Sequence, residues 1–275
     1  MRPSVAILGA GSMGGILAEG LLRAGWEPDE VIMAARRPER AHEAERFIGV
    51  SVLLDPVAAV TGRDVVVVAV KPKDVSGLLD QVADAITPPQ LVISLAAGVP
   101  IAVFEKRFPG VAVVRSMPNT PAAVDEGMTA FCGGSHADAE ALGKAATVLA
   151  AVGQTINLSE DLLDAVTAVS GTGPAYVFLL AEALTEAAIR EGLPHHAAEK
   201  LVLQTVRGAG ILLATSPKSA FRLRAEVTSP GGTTASAMHT LEDGGFRALV
   251  EDAVRSAASR SRELGQEAAA QDQSG

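Results

Sequence analysis

The run Val65-Val66-Val67-Val68-Ala69-Val70 limits what this chain can fold into more than any other segment. It is apolar at every position, with no polar residue to face water on alternate sides. Such a strand belongs in the middle of a parallel sheet, covered on both faces. Its surroundings agree. From residue 4 to 157, short β-branched runs at 5–8, 31–35, 50–53, 64–70, 91–96, 111–115, 128–131 and 154–157 alternate with helical segments such as 73–86 and 138–152. Strand–helix alternation of this kind predicts an α/β fold with a doubly wound, Rossmann-type parallel sheet.

After about residue 158 the strands stop, and helical signals follow at 160–169, 174–191, 195–214, 218–226, 232–241 and 245–264. The change in period predicts a nucleotide-binding domain over 1–158 and an all-helical domain over 159–265. The small, polar stretch 266–275 reads as a disordered tail. Aromatic residues are only 3% of the 275 while 48% are hydrophobic, so the core must be aliphatic. The helices at 174–191 and 195–214 are apolar over much of their surface, which predicts burial against a second copy in a homodimer. Self-contained packing is the alternative.

A formal net charge of −9 disfavours nucleic acid or an anionic membrane as partner. The single cysteine, Cys132, excludes an internal disulfide and any multi-cysteine metal site, and no metal is expected. The chain enters a strand directly after Met-Arg-Pro-Ser, without the pattern of a signal peptide. The longest apolar stretch on a helix, 175–181, is far short of the ~20 residues of a membrane span. The expectation is a soluble, cytoplasmic protein.

Directly after the first strand comes Gly9-Ala10-Gly11-Ser12-Met13-Gly14, the G-x-G-x-x-G spacing, with a helical segment following. In this pattern the first glycine turns the chain and the second lets a pyrophosphate approach the backbone. The third lets helix and strand pack closely. A glycine-rich turn without a ligand is the bland alternative. The second strand ends Ala34-Ala35-Arg36-Arg37, with no acid before Glu39. A carboxylate there would bind a ribose 2′-hydroxyl, whereas a guanidinium suits a 2′-phosphate. NADPH is therefore favoured over NADH, with Arg36 as the contact; the alternative makes both arginines solvated helix-start residues. Two more turns lie at carboxyl ends of strands, where ligands of this fold gather: Ala69-Val70-Lys71-Pro72 and Leu95-Ala96-Ala97-Gly98. Lys71 reads equally as an exposed turn residue.

Hydride transfer requires that the acceptor be positioned and activated. A ketone acceptor would need a proton donor, and among the five histidines only His239 adjoins a glycine-rich stretch; a helix-face role suits it as well. That stretch, Val227-Thr228-Ser229-Pro230-Gly231-Gly232-Thr233-Thr234, precedes a helical run. Its glycines and hydroxyls form a backbone-amide nest suited to a small carboxylate. The alternative is an elaborate Ser/Thr helix cap.

The sequence resembles pyrroline-5-carboxylate reductase, the last enzyme of proline synthesis, over residues 5–265. The motifs that carry the resemblance are Gly9–Gly14, Ala69–Pro72, Val227–Thr234, Arg115-Ser116-Met117-Pro118-Asn119-Thr120-Pro121, and the run from Asp164 to Tyr176 that contains Ser170-Gly171-Thr172-Gly173-Pro174. The resemblance implies reduction of 1-pyrroline-5-carboxylate to L-proline. It implies a substrate carboxylate held by the amides of Thr233 and Thr234 in a loop shaped by Ser229, Gly231 and Gly232. It further implies Thr234 as the catalytic hydroxyl facing the ring nitrogen and Glu160 as a substrate contact. Cofactor contacts are implied at Leu8 to Met13, Ala69 to Pro72, Leu95 to Ala97, and Asn119. Dimers, often assembled as a ring of five, are implied as well. Many relatives carry Asn near the end of the third strand, where this chain reads Leu54-Asp55-Pro56; the adenosine contacts must differ accordingly.

Two other readings compete. A β-hydroxyacid dehydrogenase shares the glycine opening but needs a catalytic lysine on the first long helix of its second domain, and 174–190 contains none. A non-catalytic NADPH-binding protein would have no evident need for a carboxylate nest.

Overall fold

The computed structural model describes residues 2–274. All eight expected strands form: β1 (Val5–Leu8), β2 (Val31–Ala34), β3 (Ser51–Leu53), β4 (Val65–Val68), β5 (Leu91–Ser94), β6 (Ala112–Met117), β7 (Gly127–Gly133) and β8 (Gly153–Asn157). They build one sheet in the order β3-β2-β1-β4-β5-β6-β7-β8. Every pairing is parallel except β6–β7, which is antiparallel. The sheet is thus not wholly parallel. The reason lies in the connection: residues 118–126 are too few for a crossover, which takes about a dozen residues, and hold only the short 3-10 turn Thr120–Val124.

The valine run behaves as its composition demands. Val65, Val66, Val67 and Val68 are each 0% exposed. Val65 and Val67 enter one core with Val5 and Ile7, covered by α1 (Ser12–Arg23), α2 (Pro38–Ile48) and α6 (Ala139–Leu149). Val66 and Val68 enter the opposite core with Ala6 and Leu8, covered by α3 (Pro56–Val60), α4 (Val75–Val82) and α5 (Ile101–Glu105). Each buried valine contributes about 2 kcal/mol of transfer free energy. Those four residues therefore tie the two faces together.

Two compact units result: the residues up to Thr172 together with those from Ser256 onward, and Gly173–Arg255. The first unit extends past residue 158 because Leu163, on α7 (Leu163–Val166), joins the second core and Ala168 is buried beyond it. The second unit comprises α8 (Gly173–Arg190), α9 (His195–Thr215), α10 (Ala220–Glu226), α11 (Thr233–Asp243) and the start of α12 (Phe246–Ser274). The helix α12 runs through most of the stretch read as a disordered tail. Glu267 accepts from Arg260 at 3.1 Å, and Ala268 packs against the second core, which favours the helix there.

The second unit carries large apolar side chains on its surface, among them Phe178 at 60% and Leu249 at 66% exposure. The helical run Glu160–Arg190, read as too short in apolar length, is long and apolar enough to cross a membrane by length and composition. That run counts residues on both sides of 175–181.

Candidate functional site

The three motif glycines meet three different surroundings. Gly9 adopts φ +127, a conformation that excludes ordinary side chains, and an added Cβ would lie 2.8 Å from the Ala69 carbonyl oxygen. A Cβ on Gly14 would run into the Gly9 carbonyl oxygen. At Gly11 an added Cβ meets nothing within 4 Å, and φ is −86. The fold therefore requires glycine at the first and third positions but not at the second. Gly11 is also the N-cap of α1, with no side-chain capping bond and no acid in the first turn. Its space and the adjoining amides suit an anion at the positive end of the helix dipole.

Of the predicted cofactor residues, those at 8–14, 69–72 and 95–97 lie at the carboxyl ends of β1, β4 and β5, while Arg36 follows β2 and Asn119 follows β6. The order places β1 between β2 and β4, so the chain leaves β1 at the point where the winding reverses. The Ala69 amide donates to the Leu8 carbonyl at 2.9 Å, and the Leu95 amide donates to the Val68 carbonyl at 2.9 Å. Lys71 caps the 3-10 turn Pro72–Asp74 and is exposed. At the end of β2 the Arg36 side chain is 83% exposed, with Nη1 3.4 Å from Asp74 Oδ1. That weak pairing leaves the guanidinium available to a 2′-phosphate. Sequence reasoning missed Arg40, on the first turn of α2, whose Nη2 donates to the Ala10 carbonyl at 3.4 Å. Its position one turn past the Arg36-Arg37 pair was the available signal. Asp55, just after β3, caps α3 by accepting from the Val57 amide at 2.9 Å.

Asn119 is fully used. Its Oδ1 accepts from the Met128 amide at 2.9 Å, and its Nδ2 donates to the Ser170 carbonyl and hydroxyl, each at 3.2 Å. It pins the turn after β6 to the π-helical turn Thr167–Gly171. Glu160 Oε1 accepts from the buried Arg115 at 2.9 Å and from the Ile101 amide at 2.9 Å. This carboxylate therefore braces α5 and β6, a role the sequence did not reveal. Cys132 is buried, and its thiol is pushed up to about 11 by that burial and then by the charge of Glu160. It stays protonated, as a core residue should.

In the second unit, the loop before α11 is shaped by glycine. Gly231 adopts φ +71, and the Gly232 amide donates to the Ser229 carbonyl at 3.0 Å. Gly232 is the N-cap, and no side chain caps it. Thr233 and Thr234, the first residues of α11, present their amides at an uncapped helix start. Thr234 is half-buried, and His239 is exposed on the same helix.

Two stretches of the chain match known domain families. Residues 160–264 match the domain described as pyrroline-5-carboxylate reductase dimerisation, and residues 4–98 match the one described as NADP oxidoreductase coenzyme F420-dependent. The pyrroline-5-carboxylate reductase of Mycobacterium tuberculosis is 41% identical, over 94% of this chain and 96% of that protein. The chain belongs to the pyrroline-5-carboxylate reductase family. The Synechocystis reductase is 40% identical over 96% of this chain and 99% of its own length. Among solved pyrroline-5-carboxylate reductases, that of Coxiella burnetii superposes with a TM-score of 0.91 at 36% identity, covering 96% of this chain and 99% of that one. The Plasmodium falciparum pyrroline carboxylate reductase, solved with NADP bound, gives 0.86 at 27% identity over 96% and 98% of the two chains.

Proposed function

We propose that this chain reduces 1-pyrroline-5-carboxylate to L-proline with NADPH, the final step of proline biosynthesis. The uncapped start of α11 carries this reading, because a small carboxylate satisfies the Thr233 and Thr234 amides that no side chain caps. The open space at Gly11 fits a dinucleotide pyrophosphate, and Arg36 fits the 2′-phosphate that distinguishes NADPH from NADH. When bound, NADPH supplies the hydride that the imine carbon accepts.

The protein's own residues hold and orient the acceptor. The amides at the head of α11 grip the carboxylate, while Gly231 and Gly232 keep side chains out of the loop and Ser229 closes its turn. The Thr234 hydroxyl aligns the ring nitrogen by hydrogen bonding; a threonine hydroxyl is too weak an acid to drive protonation. One hydride to carbon and one proton to nitrogen convert C=N into CH–NH. Glu160 supports the site by fixing Arg115 and the start of α5. The apolar surface of the second unit is covered by a second copy, so the run Glu160–Arg190 is part of a subunit interface in a cytoplasmic dimer. A ring of five such dimers is the further assembly.

Steady-state rates with racemic pyrroline-5-carboxylate and each nicotinamide cofactor test the reading. Turnover with NADPH and a raised substrate KM in Thr234→Ala are expected. Reverse activity on 3-hydroxy acids, or NADPH binding without turnover, would contradict it. An unchanged maximal rate in Thr234→Ala would confine that hydroxyl to orientation.

A further inference from the structure

The turn after β5 packs against the middle of α12. Ser261 is 4% exposed, and its Oγ donates to Asp164 Oδ1, on α7, at 2.6 Å. Ala258, one turn earlier, is also buried. One turn later, Gly265 crosses Gly98 backbone to backbone. A Cβ on Gly265 would lie 2.8 Å from the Gly98 carbonyl oxygen, and a Cβ on Gly98 would lie 3.2 Å from the Gly265 nitrogen. Gly98 also adopts φ +77, so it excludes a side chain twice over. A glycine inside a helix weakens it relative to alanine. Nothing within α12 itself calls for one at 265; the crossing does.

Gly98 ends the segment Leu95-Ala96-Ala97-Gly98, which leaves β5 at the same sheet end as the Gly9–Gly14 turn. We propose that Gly265 is a positioning residue for the cofactor: through its contact with Gly98, α12 sets the height of this turn and so the β5 side of the dinucleotide cleft. The inference rests on the cleft reading given above. An alanine at 265 would set its Cβ 2.8 Å from the Gly98 carbonyl oxygen, closer than a Cβ can sit, so the helix and this turn must shift against each other. Residues 229–234, proposed to hold the imine carboxylate, belong to the other compact unit.

The test uses the full chain and two alanine variants. Gly143→Ala, on an exposed position of α6 where an added Cβ meets nothing within 4 Å, is the control. Dissociation constants for NADPH by fluorescence titration are compared with KM for the imine and with thermal midpoints. Gly265→Ala is expected to raise the NADPH dissociation constant and KM about tenfold, leaving KM for the imine unchanged; Gly143→Ala is expected to change neither. NADPH affinity within about twofold of the parent in Gly265→Ala overturns the inference, as does an equal rise in both KM values. If Gly265→Ala does not fold, Ser261→Ala loosens the same helix without adding a methyl group. A several-fold NADPH effect there supports the inference, and no effect overturns it. A parent protein that binds no NADPH sinks the cleft reading itself, and this inference with it.

Discussion

Replacing Gly11 with alanine adds one methyl group where no protein atom lies within 4 Å and where the backbone is extended, at φ −86 and ψ −173. The folded protein can accept it. Alanine is a poorer N-cap than glycine, which costs about 0.5–1 kcal/mol, or a fall of roughly 2–4 °C in the thermal midpoint for a chain of this size. The cost to the cofactor is larger. The methyl group stands where a pyrophosphate approaches the backbone, and losing one or two charge-assisted hydrogen bonds at about 1.5–3 kcal/mol each weakens NADPH binding by roughly 10–100-fold or more. Gly14→Ala should show the opposite balance, because its Cβ drives into the Gly9 carbonyl oxygen. Overpacking of that kind costs about 1–3 kcal/mol or more, and the midpoint should fall by several degrees. NADPH fluorescence titration and thermal unfolding of both variants separate the two effects. Gly11→Ala with unaltered NADPH affinity, or with a loss of stability equal to that of Gly14→Ala, would refute the reasoning.

Arg36→Gln should raise KM for NADPH about tenfold, leave NADH use nearly unchanged and spare the thermal midpoint, since the side chain is 83% exposed; parallel kinetics with the two cofactors check this. Glu160→Gln removes the charge that faces the buried Arg115 and should cost about 2 kcal/mol of stability, with a smaller effect on substrate KM; a KM effect without a stability loss would point to direct contact with the substrate. The Asp64 carboxylate accepts from the Ser4 hydroxyl at 2.7 Å and the Ser4 amide at 2.8 Å, and these bonds hold its pKa below the ordinary value. The stability it contributes is full above the unfolded-state pKa and is lost as pH falls through the depressed folded value. Ser4→Ala should therefore lower the thermal midpoint at neutral pH, and the difference from the parent should shrink in acid.

The strands were legible because each is a short β-branched run, and the central one shows no polar alternation. Strand direction was not: nothing in the composition of 127–133 distinguishes antiparallel from parallel, and only the length of the link before it does. The glycine turn was legible because its chemistry is local, six residues that must turn, open and pack. The Arg115–Glu160 pair spans 45 positions and the Gly98–Gly265 crossing far more, so neither leaves a pattern that a window along the chain can register. The helix through 266–274 was hidden by polar composition, although Glu267 and Ala268 are sound helix formers. The loop 227–234 was legible as a glycine-rich turn before a helix, but that Gly232 is the N-cap emerged only from the geometry.

The most direct measurement supplies the purified chain with pyrroline-5-carboxylate and NADPH deuterated at the nicotinamide C4, then follows the label by mass spectrometry. The account predicts proline formed one-for-one with NADPH consumed, deuterium residing on the ring carbon that was double-bonded to nitrogen. NADPH left reduced, or proline formed without label from either face of the nicotinamide, would contradict it.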